Sequence, residues 1–135
     1  MSEKVVVVVK GLIIFERRAL IVKRSTSDQV GGGTWECPGG KIEFGEGLET
    51  ALIREIFEEV GISVKVGKIL YATTFNTNPV RQVVVLTYLC KSDSREVTLS
   101  EEHTDFLWAT KEQLKTYLPS DILLDFEKNH VFDLL

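Results

Sequence analysis

From Lys4 to Phe15 the chain is an almost unbroken run of Val, Ile and Leu, and after the polar turn Glu16-Arg17-Arg18 a second apolar stretch runs from Ala19 to Val22. Runs of this length, rich in β-branched residues and separated by a short polar turn, predict a hairpin of buried strands. Lys23 to Thr34 turns to Ser, Thr, Asp and three consecutive glycines, Gly31 to Gly33, and predicts an exposed loop. Trp35 to Cys37 reads as a short strand, and Pro38-Gly39-Gly40 as a sharp bend. Between Glu46 and Val60 the period becomes helical, with Ile53, Ile56, Phe57 and Val60 as the apolar stripe and Gly61 as a left-handed cap.

Two strand-like runs follow, Ser63 to Asn76 and Gln82 to Cys90, joined by a turn around Asn78-Pro79 and expected to pair as a hairpin. Lys91 to Glu102 is a polar loop, and Phe106 to Ala109 a short strand. Thr110 with Gln113 has the spacing of a capping box opening a helix through Leu118, which Pro119 ends. Ser120 is placed to cap a last helix whose apolar side carries Ile122, Leu123 and Phe126, then Val131 and Leu134. Mixed strands, a helix, more strands and terminal helices predict an α+β or αβα layered domain and not strict βαβ alternation.

Composition narrows this further. The chain's 135 residues suffice for one domain, 1–135, and are too few for two. Sixteen Lys and Arg against twenty Asp and Glu give a net charge of −4, which argues against stable nucleic-acid binding through a general basic surface. No stretch approaches the roughly 20 apolar residues of a membrane span. In the apolar run near the start, Lys10 and Glu16 interrupt and no small-residue cleavage site follows, which argues against a leader segment. Cys37 and Cys90, far apart and without metal-ligand spacing, read as buried free thiols. A cytoplasmic setting is expected, and exposed strand edges leave a homodimer open.

The candidate chemistry lies between Gly39 and Ile62. At about 100° per residue, Glu55, Glu58 and Glu59 fall within one arc of the helix. Like charges at these spacings repel by about 0.2–0.5 kcal/mol per pair, and two of them sit where the helix dipole disfavours anions. Arg54, four residues before Glu58, can fork onto one carboxylate but cannot neutralise three. A hard divalent cation such as Mg²⁺, with Mn²⁺ as a substitute, prefers such oxygens, and the glycine bend offers a carbonyl, that of Gly39, to the same ion. A solvated acidic face is the bland explanation of three glutamates. The wider pattern overrides it: Gly40, Glu46, Arg54, Glu55, Ile56, Glu58, Glu59, Gly61 and Ile62 satisfy G-x5-E-x7-R-E-U-x-E-E-x-G-U, U being aliphatic, at every position. From average residue usage the chance of that in one window is on the order of 10⁻¹⁰.

With these residues in place, the chain resembles the Nudix hydrolase family, in particular members of MutT type. The resemblance implies an αβα sandwich with a mixed sheet, and metal-dependent attack of water on a phosphoanhydride of a nucleotide. It further implies that Glu55, Glu58 and Glu59 bind metal with the Gly39 carbonyl, that Arg54 orients them, and that Gly40, Glu46 and Gly61 are structural. For the general base two readings stay open: a carboxylate of the motif such as Glu58, or one on the loop before Phe106, where Glu102 matches best and Glu101 is the alternate.

The same resemblance makes Arg24, then Lys23, candidates for contacting substrate phosphate, and Arg81 a candidate near the nucleotide. Asn129 is a candidate for reading a base edge. Phe75 and Trp35 are aromatic candidates for stacking on a base, with core packing the commoner role. His103 reads more simply as a loop histidine on a polar surface than as a catalytic group. The substrate expected is a nucleoside triphosphate, oxidised or non-standard ones included, split to monophosphate and pyrophosphate; the alternative is ADP-ribose or another nucleoside diphosphate derivative. A catalytically silent binding module and the prenyl-diphosphate isomerase branch of the same fold fit less well, the first because a binder does not need mutually repelling carboxylates.

Overall fold

Strand β1 (Lys4–Phe15) and strand β2 (Arg18–Arg24) alternate their side chains between two cores. Val9, Ile13, Leu20 and Val22 point to one face, and Leu12, Ala19 and Ile21 to the other, all fully buried. Because both faces are covered, these strands read in sequence as continuous apolar runs and not as alternating ones. The computed structural model describes residues 2–27 and 31–135. Of the loop expected over 23–34, residues 28–30 lie outside the described residues, while Lys23 and Arg24 belong to β2.

The remaining elements are β3 (Trp35–Glu36), β4 (Gly39–Lys41), α1 (Leu48–Val60), β5 (Val64–Asn78), β6 (Arg81–Ser92), β7 (His103–Ala109), α2 (Lys111–Tyr117), α3 (Ser120–Lys128) and a 3₁₀ turn at Val131–Leu134. The sheet order is β3-β2-β1-β6-β5, with β4 against β1 and β7 against β2. Among the described residues only the β1–β6 pairing is parallel, so the sheet is mixed. Helix α1 covers one face, and α2, α3 and the 3₁₀ turn cover the other. This is the expected αβα sandwich.

The β1–β2 turn places Glu16 and Arg17 at φ 49° and 64°, the positive φ at both central residues that a tight two-residue hairpin requires. Gly61 caps α1 in the left-handed region at φ 70°, and the Thr110–Gln113 capping box is complete on both sides. Cys37 and Cys90 are buried free thiols, as expected. No helix among the described residues is long and apolar enough to cross a membrane.

Four expectations require correction. Pro38-Gly39-Gly40 is not merely a bend: Gly39–Lys41 form a strand whose residues pair with Lys10, Val9 and Val8. The buried stripe of α1 is Leu52, Ile56, Glu59 and Val60, while Ile53 and Phe57 are 41% and 58% exposed. The contact line follows i, i+4, i+7 and i+8 and so carries a glutamate inward in place of two apolar residues. Ser120 opens α3 as its first residue, with Pro119 at the cap position. His103 is the buried first residue of β7 and not part of a polar surface loop.

Candidate active site

Strand β4 lies beside the middle of β1 because β2 pairs with β1 only at its far end, Ile14 with Ala19 and Phe15 with Arg18. This brings Gly39 opposite Lys10 and Gly40 opposite Val9. Gly39 adopts φ 153°, a conformation that side chains rarely take, and a Cβ there would drive into the carbonyl oxygen of Val9. At Gly40 a Cβ would strike the Glu55 carboxylate. The two glycines let helix α1 bring its acids directly against backbone.

The three helix carboxylates have unlike surroundings. Glu59 is buried, and its Oε1 accepts the Gly39 N–H at 3.1 Å. Burial pushes its carboxyl up to about 7, against the opposing pull of Lys10, the Gly39 N–H and His103. Glu55 is also pushed up, first by burial; Arg54 opposes this, and the charges of Glu58 and Glu102 add to it. Glu102, on the loop before β7, therefore belongs to the same electrostatic cluster. Glu58 is the most exposed of the three, and Arg54 Nη1 reaches its Oε2 at 3.3 Å.

Arg54 does not fork onto Glu58 as its i,i+4 spacing suggested. Its Nε and Nη2 donate to Glu46 Oε2 and Oε1 at 2.7 and 2.9 Å, and Nη1 is shared between Glu55 Oε1 at 3.0 Å and Glu58. Nη2 also donates to the Lys41 carbonyl at 3.2 Å, and Glu46 Oε1 accepts the Glu43 N–H at 2.9 Å. One guanidinium thus joins the 41–46 loop to the helix acids. The Glu46 carboxyl is held at about 2, chiefly by the Arg54 hydrogen bond.

Among the described residues no three His, Cys, Asp or Glu side chains already converge as a metal cage. The donor set nonetheless fits a hard divalent ion: all carboxylate oxygen, with one buried acid whose ionisation is disfavoured unless a cation stands beside it. Glu58, the most exposed of the three acids, has room to turn toward such an ion.

Beside the acids lies a cavity of about 430 Å³. Lys10, Thr87 and Tyr71 form its floor, and Glu36 and Cys37 its edge toward Gly39. Phe75 and Val85 form one side; Asp121, Ile122, Leu124 and Asp125 of α3 form the other. Glu36 is a hub: Oε1 accepts from Lys10 Nζ at 3.2 Å and Arg24 Nη1 at 3.5 Å, and Oε2 lies 3.1 Å from His103 Nε2. A second cavity of about 140 Å³, lined by Phe15, Glu16, Arg18, Arg95 and Trp108, contains none of the acids of the cluster.

Of the expected substrate residues, Phe75 is half exposed on the cavity wall, and Arg24 reaches its edge through Glu36. Lys23 is the β2 residue before Arg24 and pairs with Trp35 and Asp105. Arg81 and Asn129 are not among the lining residues: Arg81 Nη1 donates to Thr77 Oγ1 at 3.1 Å, and Asn129 Nδ2 to the Asp125 carbonyl at 2.8 Å. Trp35 packs against Tyr117 with ring centres 5.4 Å apart and serves the core. Lys10, Glu36, Asp121 and Asp125 escaped the sequence reading. Lys10 had a signal, being the one charge in the apolar run from Val5 to Phe15.

The NUDIX domain family model matches residues 5–129. The chain is 34% identical over 106 residues to a MutT-like protein of Streptomyces ambofaciens, covering 78% of this chain and 64% of that one. It is 32% identical over 124 residues to a CTP pyrophosphohydrolase of Escherichia coli (strain K12), covering 90% and 89%. The crystal structure of the MutT protein from Methanosarcina mazei Go1 superposes with a TM-score of 0.87 over 98% of each chain, at 26% identity.

Proposed function

The chain belongs to the NUDIX family of hydrolases, in its MutT-like part, and on that premise we propose that it is a divalent-metal-dependent enzyme that splits nucleoside triphosphates into a monophosphate and pyrophosphate. The observation that carries this reading is the shared edge between the acid cluster and the 430 Å³ cavity, where Gly39 contacts Glu59 and the adjoining Glu36 and Cys37 line the cavity. Phosphates at the acids and a base in the cavity fit one nucleotide. The relative named a CTP pyrophosphohydrolase supports the triphosphate class.

In this reading Glu55, Glu58 and Glu59, with the Gly39 carbonyl, hold Mg²⁺ or Mn²⁺. The ion, when bound, supplies charge neutralisation at the phosphate oxygens and a lowered pKa for the attacking water. Arg54 aims Glu55 and Glu58, and Glu46 fixes Arg54. Glu102, already in the field of Glu55, takes the proton that water loses as its oxygen joins phosphorus and the bridging P–O bond breaks. Arg24 and Lys23 meet the triphosphate, and Phe75 lies against the face of the base. The two buried thiols support a reducing, cytoplasmic setting.

The test is release of inorganic pyrophosphate from a panel of deoxynucleoside triphosphates with and without Mg²⁺. Metal-dependent pyrophosphate release is expected. Release of AMP from ADP-ribose with no attack on triphosphates would replace this substrate class, and no turnover of either would contradict the enzyme reading.

A further inference from the structure

Lys10 stands in the middle strand region of the sheet, in an otherwise apolar run, with its side chain 19% exposed. Its cross-strand partner on β6 is Thr87, whose own partner on β5 is Tyr71. All three line the cavity, so a polar row crosses its floor. Besides Lys10, Glu36 has two further partners, His103 Nε2 at 3.1 Å and Arg24 Nη1 at 3.5 Å. Among the described residues the Lys10 ammonium makes one hydrogen bond, to Glu36 Oε1, which leaves donors for a ligand. Across the cavity, α3 presents only acceptors at its polar positions, the carboxylates of Asp121 and Asp125.

We propose that Lys10 is a specificity-determining residue that donates a hydrogen bond to a carbonyl oxygen of the nucleobase, so that the enzyme selects keto-bearing nucleotides over adenine nucleotides. This rests on the reading that the cavity takes the base of a nucleoside triphosphate. Guanine, hypoxanthine, cytosine and uracil each carry a carbonyl oxygen for the floor as well as an N–H for the α3 side. Adenine has no carbonyl, and its exocyclic amine turned to the floor sets donor against donor. The apolar walls, Phe75 and Leu124 among them, accept any base face and do not discriminate. A half-buried donor that loses its ligand partner with the wrong base discriminates more sharply than shape alone.

The experiment compares dITP with dATP, which differ at purine C6 by a carbonyl in place of an amine. With the unmodified protein and saturating Mg²⁺, kcat/KM for dITP is expected to exceed that for dATP by about tenfold or more. Calorimetry with dIMP and dAMP is expected to show the same order of affinities without requiring turnover. Lys10→Met should bring both ratios below about threefold, and Lys10→Arg, which keeps a donor, should preserve a preference. Equal affinity of the unmodified protein for dIMP and dAMP overturns the proposal whether or not either variant folds. An equal loss for both substrates in Lys10→Met also overturns it, since the ammonium would then grip phosphate. Absence of pyrophosphate release from every triphosphate is a different failure, that of the triphosphate reading, and leaves the monophosphate comparison to decide the role of Lys10.

Discussion

Arg54 grips Glu46 with two hydrogen bonds, 2.7 Å from Nε to Oε2 and 2.9 Å from Nη2 to Oε1, and holds Glu55 with its third nitrogen at 3.0 Å. Eight residues apart in sequence, Arg54 and Glu46 lock the loop to the helix, so the direction of Glu55 depends on an acid that need not touch substrate.

A lysine in place of Arg54 keeps the charge and loses the fork. Arg54→Lys should lower kcat by about 10–100-fold, the usual cost of losing a group that orients metal ligands. KM for nucleotide should change little. Steady-state kinetics at saturating Mg²⁺ checks this, and a variant with unchanged kcat would show that the fork does not orient the acids.

The two glycines of β4 should separate stability from activity. Gly39→Ala places a Cβ against the Val9 carbonyl at φ 153° and should cost more than about 3 kcal/mol, or prevent folding. In Gly40→Ala the nearest obstacle is the end of the Glu55 side chain, which can swing away. That variant should keep its urea midpoint near the original and lose activity by about 100-fold. Denaturant titration beside turnover distinguishes the two.

Glu36 predicts an acid limb. Burial alone would raise its carboxyl, but Lys10, the His103 hydrogen bond and Arg24 together hold it at about 2, against roughly 4.3 in the unfolded chain. A depressed folded value means that its stabilisation is present above the unfolded value and is lost as pH falls from about 4 toward 2, on the order of 3 kcal/mol in all. Unfolding of Glu36→Gln should therefore depend less steeply on pH over that range than unfolding of the original protein. Parallel curves would show that Glu36 is not the hub described.

Glu58→Gln should reduce kcat by about 10²–10³-fold while the fold persists, because that side chain is largely exposed. Mn²⁺ should raise the thermal midpoint of the original protein by ligand linkage, and by less in this variant. Hydrolysis unaffected by chelation or by the substitution would remove the metal from the reaction.

Much of the layout was legible in the chain. The β-branched runs, the Gly61 cap and the Thr110–Gln113 box each act locally, so periodicity and spacing suffice to see them. The motif from Gly40 to Ile62 marked the acid cluster for the same reason. What escaped depends on how elements meet. A helical wheel for α1 is indifferent to whether the 52/56/60 line or the 53/57 line faces the sheet, and only packing turns Glu59 inward. The Lys10–Glu36–His103 cluster joins β1, β3 and β7, elements distant in sequence, through side-chain contacts that no local pattern encodes. Gly39 as a strand residue likewise exists only because β1 leaves an open edge beside it.

The central claim, that Glu55, Glu58 and Glu59 together grip a hard cation, is met most directly by anomalous diffraction from a crystal of this protein grown with Mn²⁺. The account predicts an anomalous peak about 2.0–2.3 Å from carboxylate oxygens of at least two of the three glutamates, next to the Gly39–Gly40 backbone. Crystals with no peak there, the three carboxylates still engaged with Arg54 and the Gly39 N–H at millimolar Mn²⁺, would contradict it.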